Sequence, residues 1–152
     1  MARHKMRHVE CTLEEAVKSG LDELTALAEE IREVVDNAEG GRAETQRIQT
    51  LGETANTLEQ ISEPTIDGEI AQIKVTYAES IPSGRRGLSR RTRCDNAISA
   101  LDAAIEELAM RVDEWDEQHK ETKEDNPYKI LVEELEDIKG NAEECEFPGM
   151  FG

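Results

Sequence analysis

Apolar residues recur along this chain in steps of three and four, the spacing that gathers them on one side of an α-helix. The first stripe is Leu13, Val17, Leu21, Leu24, Ala28, Ile31, Val35 and Ala38. Thr12 precedes it with Glu15 three residues on, a capping box in which the Thr hydroxyl takes the Glu15 amide and the Glu15 side chain answers. Gly40 and Gly41 end that helix. A second stripe, Ile48, Leu51, Ala55, Leu58 and Ile61, runs to Pro64. A third, Ile66, Ile70, Ile73 and Tyr77, reads as helix, although Ile73, Val75 and Tyr77 also fit the alternation of a short strand.

Pro82 to Gly87 form a turn by composition, and Ser89 is a good N-cap for the longest stripe: Cys94, Ile98, Leu101, Ile105, Leu108, Val112 and Trp115. This four-three alternation is the seam of a coiled coil or a long bundle helix. From Asp113 to Asp125 nearly every residue is charged. Asn126 and Pro127 then supply an N-cap and an N1 proline for a last helix, with Leu131, Leu135 and Ile138 as its stripe and Gly140 as its stop.

These elements predict an all-α fold, an antiparallel bundle of about four to five helices. The expected organisation is a basic N-terminal arm over residues 1–11, a helical bundle domain over 12–140, and an extended C-terminal tail over 141–152. At an offset of 43 residues Gly41 meets Gly84, Arg42 meets Arg85, Arg47 meets Arg90 and Leu58 meets Leu101. The pattern fits two αα-hairpins related by duplication, but the matches are few enough that two amphipathic hairpins shaped by the same physics account for them.

Charge sharpens the picture. The 152 residues carry 35 acids against 18 Lys and Arg, a net charge of -17. Two islands are basic: residues 1–9 hold three bases and residues 84–93 hold five Arg, with no acid in either. Such a chain repels nucleic acid at long range, while either island can meet an anion at short range. Aromatics are 3% of the chain, which excludes a thick aromatic core. No apolar run approaches the roughly 20 residues that cross a bilayer, and no apolar stretch follows the basic start MARHKMRHVECT, so neither a membrane protein nor an exported one is expected. Three cysteines at long spacing, Cys11, Cys94 and Cys145, argue against a disulfide framework.

The candidate partner or anion site is the arginine cluster Arg85, Arg86, Arg90, Arg91 and Arg93. The last three fall in the first turn of the long helix, where the macrodipole disfavours cations. Either an anion binds there, on guanidinium forks and free amides, or the arginines pair with acidic faces of the same or a neighbouring protomer. GRRGLSRR lacks the ending of a Walker loop. The second candidate is the tail, EFPGMFG, where Phe147, Met150 and Phe151 are set to dock on the bundle end or on another subunit. His4, His8 and Cys11 would share a helical face, but no second ligand pair follows, and no metal site or other cofactor is expected. No catalytic residue is assigned, because the paired acids lie on solvated faces and His119 sits among charges.

The segments LAEEIREVVDN to LGETANTLEQI, YAESIPSGRRGLSRRTRCDNAISALDAAIEEL and EFPGMFG resemble small acidic helical proteins of unassigned function encoded by tailed bacteriophages. The resemblance covers about two thirds of the chain and contains no catalytic motif. It implies a viral origin, residence in the host cytoplasm or virion, and a part in assembly or host interaction. The expected function is a non-enzymatic helical interaction protein, a structural component that joins copies of itself or other virion proteins. The alternatives are anion or nucleic-acid binding through the Arg85 to Arg93 loop, and an acidic DNA mimic that inhibits a host DNA-binding protein.

Overall fold

Thr12 acts as the expected cap: its hydroxyl accepts from the Glu15 amide at 3.3 Å and donates to the Glu15 carboxylate at 3.0 Å. In the computed structural model, which describes residues 5–38, 46–82 and 87–148, this cap opens α1 (Leu13–Ala38). The described residues add α2 (Gln46–Glu59), the one-turn α3 (Gly68–Ala71), α4 (Arg90–Gln118) and α5 (Pro127–Glu144). They also contain two strands, β1 (Lys5–Thr12) and β2 (Lys74–Ile81), paired antiparallel from Lys5 opposite Ile81 to Thr12 opposite Lys74.

The chain is mostly helical but not all-α, and three expectations change accordingly. The residues expected as a free N-terminal arm, 1–11, lie from Lys5 onward in β1. The expected third helix shrinks to Gly68–Ala71, and β2 takes Val75 and Tyr77 into the core at alternate positions. Period two wins there because both side chains can face the bundle only from an extended backbone. Gly140 does not stop α5, which continues to Glu144, so the tail begins at Cys145 and not at residue 141. Burial of Ala142 and Cys145 offsets the roughly 1 kcal/mol that a helical glycine costs.

Side-chain pairings fix the helix directions. Gly20 of α1 faces Ala97 and Leu101 of α4, while Glu30 reaches back to Arg93, so α1 and α4 are antiparallel. Lys139 meets Asp102 and the Asn126 amide meets the Val112 carbonyl, so α4 and α5 are antiparallel too. The end of α2, with Leu58, shares a crevice with Leu21 and Leu24 of α1. Thr54 of α2 meets Glu146 after α5, and Ile61 shares a crevice with Ile138. Neighbours therefore alternate in direction, and α2 and α4 run the same way. Residues 60–89 must climb back along the bundle between them, and β2 makes that return.

The core follows the expected stripes but is wider. Leu13, Leu24, Leu27, Ile31, Leu51, Leu101, Leu108 and Leu135 are the large side chains sealed in it. Ala16, Gly20 and Leu27 extend the α1 face because α1 packs on α2 and α4 together. On α4 the small residues Ala97, Ala100 and Ala104 join the seam, and burial ends at Leu108, leaving Val112 and Trp115 half-buried.

Candidate functional site

The first turn of α4 and the start of the tail meet at one end of the bundle. Ser89 caps α4 as expected, accepting from the Thr92 amide at 3.1 Å. Of the predicted arginines, Arg85 and Arg86 lie outside the described residues, and the other three have different fates. Arg93 turns to α1, where its guanidinium pairs with Glu23 and, at 2.5 Å, with Glu30. Burial opposes its charge, yet hydrogen bonds to both carboxylates outweigh it and hold the Arg93 pKa above its ordinary value. Arg91 donates from Nη1 to the Cys145 carbonyl at 3.3 Å and lies 3.6 Å from Asp95, both side chains being mostly exposed. Arg90 makes no ion pair among the described residues.

The tail docks on its own chain through its first residues. Thr54, 4% exposed, donates to the Glu146 carbonyl at 2.8 Å and accepts from the Glu146 amide at 3.3 Å. One hydroxyl thus satisfies both backbone groups of residue 146 and holds the chain against α2. Phe147 then packs half-buried against the core. Met150 and Phe151 lie outside the described residues.

Between these parts lies a cavity of ≈ 740 Å³, lined by Gln46, Arg47 and Thr50 of α2, Arg91 of α4, and Glu146, Phe147 and Pro148 of the tail. Arg47, itself half-buried, has its Nε sealed from solvent and without a hydrogen-bond partner. Periodicity did not single out Arg47 or Thr54, since neither belongs to the α2 apolar stripe. The one sequence signal was the match of Arg47 with Arg90 in the offset of 43 residues.

Burial sets the state of the thiols. Burial pushes the Cys94 thiol up to about 12, with smaller contributions from Cys145 and Asp95, and its Sγ donates to the Ala142 carbonyl at 3.6 Å. Burial also raises the Cys145 thiol, and burial and then Glu15 raise that of Cys11. A thiol held protonated is a poor nucleophile. The expected helical face of His4, His8 and Cys11 does not form: His4 lies outside the described residues, and in β1 an odd separation sends His8 and Cys11 to opposite sides of the sheet. No cluster of three metal-ligating side chains occurs among the described residues. His119 ends α4, its Nδ1 2.8 Å from the Trp115 carbonyl and its ring stacked on Trp115 at 3.9 Å.

The β1–β2 ribbon is the other distinctive surface. Asn96 of α4 accepts from the Ser80 amide at 2.8 Å and donates to the Ser80 carbonyl at 2.9 Å, covering the edge of β2 that faces away from β1. The backbone of Ser80 therefore points outward, as must that of Met6 opposite it, and the two-residue period carries the same orientation to His8 and Glu10. These groups form the open edge of a strand whose first four residues are exposed. Arg7 crosses the ribbon to pair with Glu79. No helix among the described residues is long and apolar enough to cross a membrane. No family model, curated protein or solved structure matches the chain.

Proposed function

We propose that this chain is a non-enzymatic helical interaction protein, a structural or assembly component of a larger complex. The observation that carries the reading is the open outer edge of β1, with the backbone groups of Met6, His8 and Glu10 turned away from β2 and Met6 57% exposed. An unpaired edge accepts a further strand by main-chain hydrogen bonding. Antiparallel pairing of two copies about His8 sets Lys5 opposite Cys11 and Arg7 opposite Val9, so like charges are not brought face to face. The resemblance to phage proteins adds a viral origin, with the host cytoplasm or virion as the place of action. The arginine cluster supports the alternative, nucleic-acid binding, less well, because Arg93 is already held by two carboxylates of α1.

The test is the mass of the native complex by light scattering for the wild-type chain and for His8→Pro. Proline there removes one outward donor and leaves the pairing with β2 intact. The wild type is expected well above the 17.0 kDa of one chain and the variant at one chain. Equal masses refute the role of this edge in self-assembly, and a salt-sensitive complex with DNA in parallel titrations favours the electrostatic alternative.

A further inference from the structure

A guanidinium Nε with no acceptor is unexpected in this chain. Acids outnumber Lys and Arg 35 to 18, and two of the three arginines in the first turn of α4 have found partners: Arg93 in Glu23 and Glu30, Arg91 in Asp95 and the Cys145 carbonyl. Among the described residues, Arg47 lines the cavity half-buried, its Nε sealed within the protein and unbonded, so that a ligand would meet the terminal nitrogens of its guanidinium. A buried donor without a partner destabilises a fold, and in native proteins such a group calls for a specific explanation. Glu146 lines the same space, but its backbone is pinned by Thr54 on both sides and its carboxylate forms no ion pair with Arg47 or Arg91. Phe147 and Pro148 add apolar surface to the lining. The volume lies in the range of cavities that hold small organic ligands.

We propose that this cavity binds a small oxyanion carried on an apolar or aromatic body, with Arg47 as the residue that takes the anion and Phe147 and Pro148 as the surface that takes the body. Arg91 also lines the cavity and adds positive charge, while its Nη1 remains engaged with Cys145. Gln46 and Thr50, one turn apart on α2 with Arg47 between them, supply neutral donors for further oxygens of the anion. The site uses neither the β1 edge nor the partners it would recruit, so it stands or falls separately from the assembly role. Carboxylate and phosphate share the required chemistry, and the probes distinguish them.

The full-length chain is titrated calorimetrically with phenyl phosphate, benzoate, inorganic phosphate and benzyl alcohol. One or both aromatic anions are expected to saturate with a Kd near or below about 1 mM, and the tighter of the two identifies the anion. Inorganic phosphate and benzyl alcohol, each carrying half of the recognised chemistry, are expected to bind at least about tenfold more weakly. Arg47→Gln should weaken the aromatic anion by at least about tenfold, and Arg91→Gln by less. Arg47→Met provides the control for folding. If Arg47 serves a ligand, its removal leaves the ligand-free melting temperature unchanged or raises it, because a buried unbonded donor disappears. No saturation by either aromatic anion up to about 10 mM, equal affinity in Arg47→Gln, or a lowered melting temperature in Arg47→Met would each overturn the proposal.

Discussion

Asn126 is the side chain on which the α4–α5 turn depends, and replacing it by Asp separates its two jobs. It is 7% exposed, and its Oδ1 accepts from the Tyr128 and Lys129 amides at 3.0 and 3.3 Å, capping α5. Its Nδ2 donates to the Val112 carbonyl and the Asp116 carboxylate, each at 3.0 Å. Asn126→Ala loses the cap, worth about 1 kcal/mol, and leaves a half-buried carbonyl without its donor, worth about 1 to 3 more. A total of about 2 to 4 kcal/mol is expected from urea denaturation followed by circular dichroism. Asn126→Asp keeps the cap and its carboxylate suits the helix N-terminus, yet it turns an oxygen toward Val112 O and Asp116. That variant should lose stability at neutral pH in spite of being a good N-cap. An Asn126→Asp chain as stable as wild type at neutral pH would show that the Nδ2 bonds contribute nothing.

Leu101 is fully buried beside Gly20, and Leu101→Ala should cost about 2 to 5 kcal/mol by chemical denaturation, with a loss below about 1 refuting its central place. Gly20→Ala gains about 1 kcal/mol of helix propensity, but its Cβ would stand 3.1 Å from the Ala97 carbonyl oxygen and 3.2 Å from Leu101 Cγ. Neither neighbour can yield without moving α4, so a net loss of about 1 to 2 kcal/mol is expected, and a higher melting temperature would contradict the close approach. Among the thiols, only half-exposed Cys11 should react with an aromatic disulfide reagent in the folded chain near about pH 8, while Cys94, held up to about 12 by burial, and Cys145 should react only after denaturation. Prompt release of more than one thiol equivalent would show that the α4–α5 end opens readily.

The helices were legible because their signals are local and redundant. The Thr12, Ser89 and Asn126 caps, Pro127 and the three-four stripes each point to the same boundaries, and all three caps form. The strands were less legible because their pairing is not local. Lys5 to Thr12 has no partner until residues 74–81 return along the bundle, and nothing within KMRHVECT except Val9 and Thr12 favours extension. Only Ile73, Val75 and Tyr77 carried the period of two in advance, and Ile73 lies just before β2. The seam of α4 was overextended for a similar reason: periodicity marks which side is apolar, not how far a partner helix reaches, and α1 and α5 cover it only to Leu108. Of the candidate site, the sequence offered Arg91 and Phe147 but not Arg47 or Thr54, because a polar residue beside an apolar stripe looks like surface until the tail folds over it.

Arg90 and Arg93 share the first turn of α4 and the same unfavourable dipole, so composition alone ranks them equally, yet their surroundings predict opposite responses to mutation. Arg93 lies 23% exposed between Glu23 and Glu30, acids seven residues apart and therefore on one side of α1. Charge-assisted hydrogen bonds are worth about 1.5 to 3 kcal/mol each, but Glu30 is 44% exposed and solvent weakens its share, so Arg93→Ser should lower stability by about 1 to 3 kcal/mol in total. Arg90 has no ion pair to lose among the described residues, and Arg90→Ser relieves a cation at the positive end of α4. Its effect should fall between zero and a gain of about 0.5 kcal/mol. Urea midpoints of the two variants, measured with equal m-values, decide the matter. Equal losses would mean that the arginines act as one electropositive patch; unequal ones would mean that Arg93 ties α4 to α1 while Arg90 stays available to a partner.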